Sequence, residues 1–409
     1  MPYPERSGGQ VLVDGLVANG ARCAFCVPGE SYLAALDACY DRRDQLRLIV
    51  CRQEGGAAYM AEAFAKLSGE PGVCFVSRGP GASNAMIGVH TAFQDSTPLL
   101  LFIGQNPRDE RGREAFQELD YARVYDGVAK AVLRIERAAD IPAGLAEAWA
   151  RAIGDRPGPV VVELPEDMLR ERAAVADAPK PTRAVEAPSA EAMARFGELL
   201  RRARRPAVVF GGAAWSAATN DLLAEFAERH CLPLACAFRR QDMFDNSRAH
   251  YVGELGIGPN PALVELFRDA DLVVALAARL GEMTTSGYTL FDVPEFDRAG
   301  RRKLAHIFPS AAEFDSVYRA EVAIACDAES FLRAAQGIAA PAADERRARM
   351  TRVEAARKSY LDFVAAPRDE GAAVRMDRIM TFLRARLPAD SVVANGAGNY
   401  TIFAQLTPP

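Results

Sequence analysis

The stretch that decides the fold is RLIVCRQEGGAAYMAEAFAK, residues Arg47–Lys66. Leu48, Ile49, Val50 and Cys51 form a short apolar run that reads as a strand buried on both faces. Two polar residues, Glu54 and the pair Gly55-Gly56 follow, and a helical pattern then sets Ala58, Ala61, Phe64 and Ala65 on one side. Glu54 therefore falls at a strand-to-helix junction, on the edge of a parallel sheet where ligands bind. A carboxylate in a first helical turn also complements the positive end of the helix dipole, so this window alone leaves both readings open.

The same alternation extends outward. A helix at Gln10–Asn19, with Gly20 as its C-cap, precedes a strand at Cys23–Val27. Further strands are predicted at Val73–Ser77, Leu99–Gly104 and Val160–Leu164, with Gly/Pro turns at their ends. An Ala/Pro-rich linker separates these from a second set: helices at Glu191–Ala203 and Asn220–His230, and strands at Ala207–Phe210, Leu272–Ala277, Lys303–Ile307 and Val322–Ile324. The basic run ending the helix at Arg201–Arg205 complements the negative end of its dipole. Helices at Glu345–Phe363 and Met376–Leu387 and one strand at Ser391–Ala394 complete the reading. The pattern predicts an α/β protein: two doubly wound parallel-sheet domains, residues 1–171 and 190–337, and the beginning of a third, residues 345–409. One strand cannot build a sheet, so the chain is expected to stop as that third domain starts.

Composition narrows the function. The chain has 409 residues, half of them apolar, enough for two or three cores. A formal charge of −5 carries no basic bias toward nucleic acid. The start, MPYPERSGG, has no signal-peptide core, and no run reaches the ~18 apolar residues a membrane helix needs. Eight scattered cysteines without framework spacing suit reduced thiols in the cytoplasm. Cys23 and Cys26 form a CxxC, but in an apolar strand that spacing puts them on opposite faces, which suits neither a redox pair nor zinc. The four histidines have no metal-ligand spacing, and no metal ligand is assigned within the chain.

Three strand ends carry Pro28-Gly29-Glu30, Glu54 and Gly79-Pro80-Gly81-Ala82-Ser83-Asn84. Singly these are ordinary turn chemistry, and none matches a dinucleotide or P-loop spacing. Together and in order they resemble the pyrimidine-binding domain of thiamine-diphosphate enzymes, and most closely the acetolactate synthase group. CRQEGGAAYMAEAFAK, SRGPGASN, AFQDSTP, IGQNPRDERGREAFQELD and RPGPVVVELPEDM are all similar to that group. FGGAAW and ADLVVALAARLGE resemble its central domain, and SVVANGAGNYT resembles the first strand and turn of its diphosphate-binding domain.

The resemblance implies a role for Glu54: a hydrogen bond to the ring nitrogen of the cofactor's aminopyrimidine, which promotes loss of the C2 proton of the thiazolium. The C2 carbanion then attacks a 2-oxo acid, and the ring takes up the electrons as CO₂ leaves. That chemistry calls for a dry pocket, for which Cys51, Gly55, Gly56, Ala57 and Ala58 offer a wall of small residues. By the same resemblance Pro28, Gly29, Glu30, Gly79, Pro80, Gly81 and Asn84 lie near the pyrimidine, and Phe116 and Gln117 face the substrate side. Gly398 and Asn399 begin the diphosphate site, which belongs to the partner subunit, so a homodimer or tetramer is implied. Gln53 stands where many relatives have histidine. Arg279-Leu280-Gly281-Glu282-Met283 does not reproduce the flavin-contacting stretch, which leaves FAD open. No Gly-Asp-Gly with a following Asn pair occurs, so the Mg²⁺ ligands are expected beyond Pro409 and residues 1–409 alone are expected to be inactive. The activity implied is a 2-oxo acid decarboxylase/carboligase of the acetolactate synthase type. The alternatives are a simple decarboxylase, one acting on oxalyl-CoA, and a non-catalytic nucleotide-binding relative.

Overall fold

The computed structural model describes residues 3–183, 186–212, 215–290, 303–365, 374–388, 390–396, 398 and 400–405. Contacts divide the chain into two units, residues 1–184 and 185–409.

The first unit is built on a six-stranded sheet. Its strands are β1 (Cys23–Cys26), β2 (Arg47–Val50), β3 (Gly72–Val76), β4 (Leu99–Gln105), β5 (Ala131–Arg134) and β6 (Pro159–Pro165). They are all parallel and lie in the order β2-β1-β3-β4-β6-β5. Helices α1 (Gly8–Ala18), α2 (Leu33–Asp41), α3 (Glu54–Ser68), α4 (Pro80–Asp95) and α5 (Ile141–Ile153) cover the two faces. Leu100 and Phe102 of β4 point into a core with Val11, Leu12 and Trp149, while Leu99, Leu101 and Ile103 point into the other with Ala58, Ala61 and Val89. Every residue of β4 and β6 is buried, as expected of central parallel strands. Gly20 follows α1 in the left-handed region at φ +91°.

Two expectations change here. β2 is an edge strand rather than one buried on both faces, and Val50 is 63% exposed. The short edge strand β5 is not evident in the sequence, because three of its four residues are only half-buried and the last, Arg134, is exposed. Cys26 and Cys23 do lie in opposite cores, and all eight cysteines are free thiols.

The second unit repeats the plan. Strands β7 (Pro206–Phe210), β8 (Leu234–Ala237), β9 (Tyr251–Leu255), β10 (Leu272–Leu276), β11 (Lys303–Phe308) and β12 (Val322–Ala325) form a parallel sheet in the order β9-β8-β7-β10-β11-β12. Around it pack α6 (Ala190–Arg202), α7 (Ala217–His230), α8 (Pro261–Arg268), α9 (Ala328–Ala335) and α10 (Ala343–Ala365). Near the end of β9 the Glu254 carboxylate accepts a hydrogen bond from the Arg239 amide at 3.1 Å and another from Gln241, and burial pushes its carboxyl up to about 7. His230, the last residue of α7, is buried beside Phe226, and burial presses its imidazole down to about 4.

The helix α10, expected to open a third domain, is held on the second unit by arginines. Arg349 is buried and donates to the carbonyls of Leu200 (2.9 Å), Ala203 (2.6 Å) and His230 (3.2 Å). Arg346 donates to Arg229, Arg352 to Pro206 and Leu266, and Arg357 to Asn246 and Tyr251. Most of these carbonyls end helices α6, α7 and α8, where no intrahelical partner exists. Val353 and Tyr360 of the same helix are buried. The helix at Met376–Arg384 forms as expected, but Ser391–Gly396 has no regular structure. The expected strand at Ser391–Ala394 is therefore absent: among the described residues nothing pairs with it, and apolar alternation alone cannot satisfy a strand's backbone.

Candidate active site at the C-terminal edge of the first sheet

The chain leaves β1 toward β2 on one side and leaves β3 toward β4 on the other, so the sheet's topological switch point lies between β1 and β3. Pro28-Gly29-Glu30 follows β1, and Gly79–Asn84 follows β3. A Cβ on Gly29 would lie 2.6 Å from the Ser77 Cβ, so only glycine lets the two turns close on each other. Glu30 opens a short 3₁₀ turn, and both it and Pro28 are exposed.

Glu54 is the first residue of α3. Gln53 precedes it as N-cap and accepts a hydrogen bond from the Gly56 amide at 2.9 Å, so the position where many relatives have histidine serves here as a cap. The Glu54 carboxylate is half-buried, and its Oε2 accepts a hydrogen bond from Asn84 Nδ2 at 2.9 Å. A Cβ on Gly81 would stand 2.5 Å from Ser77 Oγ and 3.5 Å from Glu54 Oε1. Glu54, Ser77, Gly81 and Asn84 thus face one small space. Of the expected wall, Gly55, Ala57 and Ala58 are buried, Cys51 is half-buried, and Gly56 faces out.

The loop after β4 closes onto the same edge. Gly79, at φ +55°, lies so near Gln117 that a Cβ would be 2.8 Å from the Gln117 Cβ and carbonyl oxygen. The Gly79 amide donates to Tyr121 Oη at 2.8 Å, and burial pushes that phenol up to about 12, so it accepts as a neutral group. Buried Asn106 donates to the Phe116 carbonyl at 3.0 Å, and buried Gln105 to that of Leu119 at 3.0 Å. Glu118 accepts from the amides of Gly112 (2.6 Å) and Ala115 (3.1 Å), and the Gly112 bond leads in holding its carboxyl below the usual range. Phe116 itself is 74% exposed at the tip, and Gln117 is exposed at φ +62°.

The first-unit candidates are therefore gathered on one edge. Gly398 belongs to the second unit, and Asn399 lies outside the described residues. Sequence reading missed Ser77, Asn106 and Tyr121, which tie the turns together. Ser77 and Asn106 lie inside the quoted stretches SRGPGASN and IGQNPRDERGREAFQELD, whereas Tyr121 falls just past them. Among the described residues no group of three His, Cys, Asp or Glu side chains could hold a metal ion, and no helix is long and apolar enough to cross a membrane.

Comparison with known proteins agrees with this geometry. Residues 6–124 match the thiamine pyrophosphate enzyme N-terminal TPP binding domain, and residues 193–335 match the central domain of the same enzymes. The chain is 31% identical over 329 residues to the acetolactate synthase large subunit of Parasynechococcus marenigrum, covering 78% of this chain and 52% of that protein. It is 29% identical over 334 residues to a probable acetolactate synthase large subunit of Methanocaldococcus jannaschii (80% and 55%). It is 28% identical over 410 residues to the large subunit of Escherichia coli acetolactate synthase isozyme 2 (97% and 70%). The chain spans about half the length of the first two of these relatives. With both family domains present in order, the chain belongs to the thiamine pyrophosphate enzymes.

Proposed function

We propose that this protein is a thiamine-diphosphate-dependent 2-oxo acid decarboxylase/carboligase of the acetolactate synthase type, with Glu54 as its proton-handling residue. The observation that carries this reading is the Glu54 carboxylate, held by Asn84 and facing Gly81 within the segment that matches the cofactor-binding domain. The surroundings of that carboxylate suit a flat, neutral aminopyrimidine: glycine at 81 keeps a methyl away from Oε1, and glycine at 29 lets the flanking turns close. Bound thiamine diphosphate supplies an electron sink for the decarboxylation of a 2-oxo acid. Glu54 holds a proton at the pyrimidine ring nitrogen and passes it back and forth. The Gly79–Gln117 contact holds the loop after β4 against the turn after β3, and exposed Phe116 is assigned, on the resemblance, to the substrate side.

Mg²⁺ and the diphosphate group are assigned, on the resemblance, to a domain other than the two matched here. A second copy of the chain is the fitting partner for the α3/α4 face. Tyr59 (40% exposed), Met60 (43%) and Ile87 (54%) lie bare on the two helices that carry Glu54 and Asn84.

In the second unit we read Gly211-Gly212 as a packing turn rather than a flavin cradle. Gly212 is at φ +99°, and a Cβ there would lie 2.8 Å from the Ala277 carbonyl oxygen, so the turn is closed against the end of β10. Flavin absorbance in the purified protein would overturn that reading.

The deciding experiment uses the intact natural-length protein with thiamine diphosphate and Mg²⁺. Hydrogen–deuterium exchange at C2 is expected to slow about a hundredfold or more in Glu54→Gln, the scale of lost general acid–base help. Unchanged exchange would remove Glu54 from the mechanism. A panel of 2-oxo acids, assayed for CO₂ and acyloin products, then identifies the substrate.

A further inference from the structure

We infer that Asn84 is a positioning residue that assigns separate tasks to the two oxygens of Glu54, an inference resting on the reading of this edge as the aminopyrimidine site. An amide NH₂ can only donate, so the 2.9 Å bond from Asn84 Nδ2 makes Oε2 an acceptor whether the carboxyl is ionised or protonated. When Glu54 carries a proton, that proton sits on Oε1. Oε1 is also the oxygen that faces Gly81, 3.5 Å from where a Cβ there would stand. The one hydrogen bond therefore fixes both the plane of the carboxyl and the oxygen that exchanges protons with a ring nitrogen.

The backbone makes this arrangement rigid. Glu54 is the first residue of α3, fixed by the Gln53 cap. Asn84 lies in the first turns of α4, whose start is set by Gly79 at φ +55° and by Pro80 at the first helical position. The two helices touch at small residues: a Cβ on Gly88 would collide with the Ala58 Cβ. Their separation, and with it the Asn84–Glu54 distance, is set by backbone contact rather than by flexible side chains. A side chain that merely lined the pocket would not need this spacing. Gly55 is held in the same contact, since its Cβ would lie 3.2 Å from the Asn84 carbonyl oxygen.

The test is a double-mutant cycle on cofactor-free protein, with 4-amino-5-hydroxymethyl-2-methylpyrimidine as the probe and binding read by NMR titration. Asn84→Ala is expected to weaken binding about tenfold in the wild-type background, the scale of one hydrogen bond to a charged group, and less than about twofold in Glu54→Ala. A merely structural role for Asn84 would give equal losses in both backgrounds, and that result would overturn the inference. The Asn84 side-chain amide resonance supplies a second readout without ligand. It should move on Glu54→Ala and stay in place on Ser83→Ala, with thermal unfolding showing each variant folded. A resonance that ignores Glu54→Ala also counts against the pairing. If Glu54→Ala leaves pyrimidine binding unchanged, or wild type binds none, the cofactor reading fails instead, and the resonance alone decides the pairing.

Discussion

The buried amide of Gly79 donates to the hydroxyl of Tyr121 at 2.8 Å, which ties the turn after β3 to the loop after β4. Tyr121→Phe keeps the ring but leaves a buried N–H without its acceptor. The expected cost is about 1–3 kcal/mol, read as a lower urea midpoint for the first unit. A midpoint equal to wild type would mean that another acceptor reaches the Gly79 amide.

Gly81→Ala should separate binding from folding. The added Cβ meets Ser77 Oγ, a side-chain atom that can rotate away, and alanine suits a helix better than glycine by about 1 kcal/mol. Stability should hold or rise slightly. The same methyl narrows the space beside Glu54 Oε1, so pyrimidine affinity should fall at least about tenfold, equivalent to about 1.4 kcal/mol. Unchanged affinity would place the ring elsewhere.

Two buried groups of the second unit should oppose one another as pH changes. The His230 imidazole is held near 4, below its ordinary 6.5, so between those values the unfolded chain binds the extra proton and stability rises with pH. The Glu254 carboxyl is held near 7, above its ordinary 4.5, so there the folded protein binds the extra proton and stability falls with pH. Each slope approaches about 1.4 kcal/mol per pH unit, and the windows overlap from 4.5 to 6.5. Relative to wild type, His230→Leu should lose stability as pH rises through that window, and Glu254→Gln should gain it. Parallel profiles for the three proteins would show that neither group is displaced from its ordinary range.

Arg349→Lys should destabilise the second unit by about 1–3 kcal/mol, the cost of leaving buried acceptors without their donor. A lysine ammonium is a point donor, whereas the guanidinium fork spans Leu200, Ala203 and His230 together. Urea unfolding followed by tryptophan fluorescence measures it. A loss below about 0.5 kcal/mol, the size of an ordinary surface change, would show that water serves those carbonyls equally well.

Much of the first unit was legible because its central strands are mostly apolar and several end in Gly/Pro turns, as at Val76 and Gly79-Pro80-Gly81. β5, β8 and β9 were not. β8 and β9 are short and compositionally weak: Leu234–Ala237 has no β-branched or aromatic residue, and Tyr251–Leu255 is interrupted by Gly253 and Glu254. Glu54 was visible as a carboxylate on a strand end. Its pairing with Asn84 was not, because residues thirty positions apart meet only once two helices pack through Gly88 and Ala58. The Ser391–Ala394 expectation failed for the converse reason: local apolar character names a strand, but a neighbour has to complete it.

The arginine-rich helix α10 also bears on where the second unit can be cut. The central-domain match closes at residue 335, eight residues before that helix begins. Protein trimmed at that limit would keep all six strands yet bare the carbonyl ends of α6, α7 and α8 and the seats of Val353 and Tyr360. The recognisable sequence of the domain ends before the helix that satisfies its carbonyl ends. An expression boundary drawn by similarity alone would give a sticky, poorly soluble product, whereas one drawn after Ala365 would carry its own closure.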